Sequence, residues 1–138
     1  MGIDLTLYPV DEESRDTWTT CEGWMLLRNY WSFAHIGPWF KDENYEEGIP
    51  EPELLVHAQK LPESVKLHIH GTTHWTHGDY SDDETRTDSP YGDRLEFCTV
   101  KELRQVYQRL PVEHPNRPLL SKVLARRAAN EKVVLYWH

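Results

Sequence analysis

Apolar and polar residues alternate from the start of the chain. Ile3, Leu5 and Leu7 share one parity, and Asp4, Thr6 and Tyr8 share the other. A period of two is that of a strand with one buried face, and Pro9 closes it. Residues 11–23 are polar and charged, and read as a loop. In the stretch GWMLLRNYWSF, Met25, Leu27, Trp31 and Phe33 fall on one side. The aromatic content there favours a strand, with a short helix as the alternative and Trp31 and Phe33 in the core. Residues 35–50 carry Gly37-Pro38 and Gly48, and read as a loop anchored by Trp39, Phe40 and Tyr45. Leu54, Ala58 and Leu61 lie on one helical face behind Pro52, with Glu51 and Glu53 near the positive end of the dipole. This pattern predicts a short helix ending before Pro62.

Alternation returns at Val65. Val65, Leu67 and Ile69 face one way, and Lys66, His68 and His70 the other. A long polar connection over about 71–93 follows, then a short strand from Arg94 to Cys98. Thr99 and Glu102 have the spacing of a capping box. Leu103, Val106, Tyr107 and Leu110 behind it form a helical stripe. Asn116 is placed to cap a further helix with Pro118 in its first turn, and Leu120, Val123, Leu124 and Ala128 are its apolar side. The run Val133 to Trp137 is almost wholly apolar, as in a strand covered on both faces. These elements predict an α+β fold. It is a single domain over 1–138, with a mostly antiparallel sheet and two or three helices on one face.

Composition narrows the picture. With 138 residues and 38% hydrophobic content, the chain suits one modest core. No apolar run has the roughly 20 residues of a membrane-spanning helix, so no membrane partner is expected. The opening residues lack the basic start and apolar stretch of a signal peptide. Cys21 and Cys98 are far apart and form no CxxC pair, which fits free thiols in a reducing, cytoplasmic setting. Net charge is −8 and unevenly placed. Residues 1–100 hold 7 Lys/Arg against 20 Asp/Glu, whereas residues 101–138 hold 8 against 3. An acidic chain lacks the basic footprint of a direct nucleic-acid binder.

Candidate chemistry concentrates in residues 68–94. His68 and His70 are two apart on a strand, about 7 Å apart on one face, and His74 and His77 follow across a glycine. Two or three histidines with one carboxylate make a usual zinc or iron ligand set. His68, His70 and His74 are therefore candidate ligands of a metal-dependent hydrolase, with an acidic residue as base. The spacing HxHxxxHxxH matches no standard zinc signature, and histidines on the polar face of a strand are the plainer alternative. The acidic stretch containing Asp79, Asp82, Asp83 and Glu84 lacks the glycine and terminal glutamate of a calcium loop. Trp75, Tyr80 and Tyr91 flank it, and aromatics of this type are frequent binding anchors. No nucleotide loop, nucleophile elbow or Cys/His dyad is present.

The opening MGIDLTLYP, the middle SPYGDRLEFCTVKEL and the closing VVLYWH resemble small, largely uncharacterised proteins encoded by phages and prophages. The resemblance implies a cytoplasmic protein of an infected bacterium and carries over no site residues. Together these observations predict a non-enzymatic, phage-encoded binding protein without a cofactor. It would inhibit a host protein or other macromolecule, or sequester a small ligand, through His68, His70, His74, Trp75, His77, Tyr80, Asp82, Asp83, Glu84 and Tyr91.

Overall fold

The structure is a computed structural model that describes residues 2–43 and 47–138, with Asp82 described in its backbone alone. Tyr45, expected to anchor the first long loop, lies outside the described residues. In chain order, the strands are β1 (Leu5–Pro9), β2 (Glu12–Glu13), β3 (Thr17–Met25), β4 (Gln59–Lys60), β5 (Lys66–Trp75), β6 (Gly78–Arg86), β7 (Glu96–Thr99) and β8 (Lys132–Trp137). The helices are α1 (Tyr30–Phe33), α2 (Val100–Arg109) and α3 (Asn116–Leu124), with a 3₁₀ turn at Pro38–Phe40. The strands join in one curled sheet of order β4-β7-β8-β1-β3-β5-β6, with β2 beside β3. All pairings are antiparallel except β3 with β5. The fold is thus α+β with a mostly antiparallel sheet.

The sheet has a different cover on each face. On one side, Leu5, Leu7, Val133 and Leu135 pack against Leu103 and Val106 of α2 and Leu120 and Val123 of α3. The helices therefore sit on one face, as their apolar stripes require. On the other side, the sheet curls over its own second core, built from Tyr8, Trp18, Leu67, Ile69, Val134 and Tyr136. Trp18 meets Phe97 edge-on there, with ring centroids 5.0 Å apart. Arg94 closes this core by donating to the carbonyls of Leu61, Pro62 and Val65. Cys98 is buried, as expected of a free thiol, and burial pushes its pKa up.

Several expectations change. The polar connection over 71–93 is mostly a hairpin: β5 and β6 pair continuously from Leu67–Arg86 to Trp75–Gly78, leaving only Thr76 and His77 at the turn. Backbone pairing does not require apolar side chains, and an edge strand can be wholly polar. Residues 17–23 of the first predicted loop form part of β3, with Trp18 and Thr20 buried, and Glu12–Glu13 form β2. The stretch after Met25 leaves the sheet, and Asn29 caps α1 by accepting from the Ser32 N–H at 2.8 Å. Residues 51–61 are not helical: 51–58 carry no regular structure and Gln59–Lys60 form β4. The N–H groups of Leu55 and Val56 donate to the His35 carbonyl, and that of His57 to Glu102. These tertiary acceptors, with the extended bias before Pro52, outweigh the helical spacing.

Asn116 does not cap α3. It is fully buried at the helix start, accepts from the Leu27 N–H at 2.7 Å and donates to the Leu27 carbonyl at 2.9 Å. Gly71 is required where β3 and β5 run parallel: its φ is 144°, and a Cβ there would lie 2.0 Å from the Cys21 carbonyl oxygen. No helix among the described residues is long and apolar enough to cross a membrane.

Candidate functional site

The hairpin of β5 and β6 positions most of the predicted residues and divides them by strand alternation. His68 and His70 lie opposite the core face of Leu67 and Ile69, and Asp83 sits directly across from His70. The Asp83 carboxylate bridges both rings, at 2.6 Å from His68 Nε2 and 3.4 Å from His70 Nδ1. Its pKa is lowered, first by the hydrogen bond with His68. One donor atom from each of these three residues lies within 4.8 Å of the others. Tetrahedral zinc holds its donors about 3.4 Å apart at bond lengths near 2.1 Å. All three side chains are part-exposed or exposed, so modest rotamer changes suffice to close on an ion.

His74 does not join this group. It lies four residues further along β5, about 13 Å at the usual rise. Its Nε2 meets Glu22 at 2.7 Å and its Nδ1 meets Asp79 at 3.0 Å. The ring stacks on Trp24 at 3.9 Å, and Lys122 of α3 lies over the other ring of that pair. The expected His68/His70/His74 ligand set is therefore replaced by His68, His70 and Asp83. Strand rise separates His74, whereas pairing brings in a carboxylate from fifteen residues away.

Glu84, one residue from Asp83, faces the curled side and pairs with Arg86 at 2.8 Å. Arg86 lies 4.4 Å over the Tyr136 ring and donates to its hydroxyl. Trp75 and Tyr80 also turn to this side, edge to face at 4.8 Å, and Trp75 stacks on His138 at 5.6 Å. His77 is exposed in the turn. Tyr91 is separate. It borders an apolar cleft of about 430 Å³ with Trp39 and Trp137. Of Asp82 only the strand position, opposite Gly71, is described.

The ten predicted residues thus form no single surface. His68, His70 and Asp83 converge, while His74, Glu84 and Tyr91 belong to three other environments. The partners Glu22 and Trp24 escaped sequence reasoning, because Glu22 lies in the stretch read as a loop and no local pattern ties either residue to His74. Compared with family models, curated proteins and solved structures, the chain matches none.

Proposed function

We propose that the protein is a non-enzymatic binding protein that captures a basic, extended segment of a host macromolecule along the β5–β6 hairpin. The observation that carries this reading is the position of β6. It is the last strand of the sheet order, nine residues long, and it bears Asp79, Asp83 and Glu84. An edge strand offers main-chain groups to an added strand, and side-chain charge selects which strand is accepted. The same charges would also keep two edges from pairing with each other, and the test separates the two roles. Resemblance to phage and prophage proteins supports a bacterial host as the source of the partner.

The test uses a labelled, extended peptide alternating Lys and Val, followed by fluorescence anisotropy. Saturable binding is expected at low salt, weakened at least about tenfold by the double change Asp79→Asn/Asp83→Asn, in keeping with close charge pairs. Equal binding by the parent and the double variant would remove the hairpin as the docking surface.

The convergence of His68, His70 and Asp83 favours a second reading, in which this face takes a divalent metal of the zinc class. Two imidazoles and one carboxylate leave a coordination position for water or a partner's side chain, the arrangement that hydrolytic chemistry needs.

A further inference from the structure

A second pair of histidines lies far from the hairpin. His35 follows α1 and is 3% exposed, and His114 precedes α3. Both border an apolar cavity of about 390 Å³, with Trp31, Ile49, Pro50 and Pro111 among its walls. Trp31 covers the pair. Its ring is 4.9 Å from that of His35, edge to face, and 6.1 Å from that of His114. Its own N–H donates to the Pro50 carbonyl at 2.8 Å and holds the indole in place.

Backbone contacts define the protons on each ring. His35 Nδ1 lies 2.8 Å from the Glu53 carbonyl, which can only accept, so Nδ1 carries a proton. His114 Nδ1 lies 3.0 Å from the Asn116 N–H, which can only donate, so that Nδ1 carries a lone pair. Burial holds both rings below the ordinary histidine pKa and keeps them neutral near pH 7. In neutral imidazoles the remaining nitrogens are then opposite in kind: His35 Nε2 accepts, and His114 Nε2 donates. Both Nε2 atoms are shielded from solvent and have no hydrogen-bond partner among the described residues.

A buried polar atom without a partner is costly, and here one acceptor and one donor belong to two residues that line the same cavity. A metal does not suit them, because His114 Nε2 has no free lone pair in this tautomer. We propose that His35, His114 and Trp31 form a binding site for a small, neutral, planar molecule carrying a carboxamide-type edge. Its N–H donates to His35 Nε2, its carbonyl accepts from His114 Nε2–H, and its flat body lies against Trp31 and the prolines. A carboxylate is disfavoured, since it brings a second acceptor to the lone pair of His35 and a charge into walls that already hold Glu51 and Glu53, with Arg109 paired to Glu53. This site is independent of the hairpin reading.

The test uses the full chain with ¹⁵N-labelled histidine. Long-range ¹H–¹⁵N spectra near pH 7 should show His35 protonated at Nδ1 and His114 at Nε2. Finding the same tautomer at both would overturn the proposal without any variant. Benzamide is then titrated to millimolar concentration, beside benzoate and toluene. Benzamide should shift both Nε2 resonances and quench Trp31 fluorescence, and it should bind at least about tenfold more tightly than the other two, the order of discrimination expected of a site that pairs a buried polar edge. His35→Phe, with folding verified by urea unfolding, should lose that preference. No response to benzamide, or equal binding of toluene, would reduce the feature to an apolar cavity.

Discussion

His68, His70 and His74 on the outer face of β5 each meet a carboxylate, whereas His35 and His114 each meet a backbone group. The first set lies on a part-exposed hairpin at the edge of the sheet. The second lies beneath a tryptophan, between the loop before β4 and the start of α3. A carboxylate partner makes the contact electrostatic and leaves it responsive to salt, metal and added charge. A backbone partner in a desolvated site selects one neutral tautomer and so creates a directional donor or acceptor. One residue type therefore supplies an electrostatic surface in one region and a shaped hydrogen-bonding edge in the other.

The largest separation between the two regions should come from Asn116→Ala. That change orphans the N–H and carbonyl of Leu27 and removes the buried side-chain contact with Ser32, while the backbone N–H at position 116 still reaches His114. A loss of about 3 kcal/mol in urea unfolding is expected from stranded buried groups. His70→Ala, on the exposed face, should leave the unfolding midpoint unchanged. A near-silent Asn116→Ala would show that the buried region relaxes as readily as the exposed one.

Zinc should act in the opposite direction, on the hairpin alone. At tenfold excess over its dissociation constant, a ligand specific for the folded state adds about 1.4 kcal/mol. The thermal midpoint should therefore rise with zinc in the parent and in His35→Phe, and stay fixed in His70→Ala or Asp83→Asn. A rise that survives His70→Ala would place the ion elsewhere.

The smallest effect is in pH dependence. Burial lowers the folded-state pKa of His35, His114 and His138 below the ordinary value near 6.5. The unfolded chain then binds more protons as pH falls from about 7 to about 5, so stability is full above that window and declines within it. Glu96 works the other way, because burial raises its pKa. The window of Asp83 lies at lower pH, since its pKa is depressed. The informative quantity is thus the difference between parent and His35→Phe: the variant should decline less steeply between about pH 7 and about pH 5. Parallel curves would mean that His35 titrates alike in the folded and unfolded states.

Several elements were legible because their signals are local. The alternation of Leu5 and Leu7, the apolar run of β8 and the parity of His68 and His70 all describe one strand at a time. The Thr99 box is realised as written: the Glu102 N–H donates to Thr99 Oγ1, and Glu102 Oε1 accepts from the Thr99 N–H at 3.1 Å. β6 was hidden because its side chains are polar and its stability comes from backbone pairing with β5. The predicted helix before Pro62 failed because the carbonyl of His35, some twenty residues earlier, claims two of its N–H groups. His35 and His114 carried no signal at all, since nothing in their own neighbourhoods marks them as a pair.

By itself, the sequence determined which residues point together along each strand, where α2 begins, and that acidic and histidine side chains crowd the stretch after Val65. Tertiary structure alone decided that Asp83 rather than His74 joins His68 and His70, that Glu22 takes His74, and that a single tryptophan covers His35 and His114. The physical reason is range. Alternation and capping arise from bonds within a few residues. Convergence of donors depends on which strand lies alongside and how far the sheet curls, and those depend on the packing of both cores.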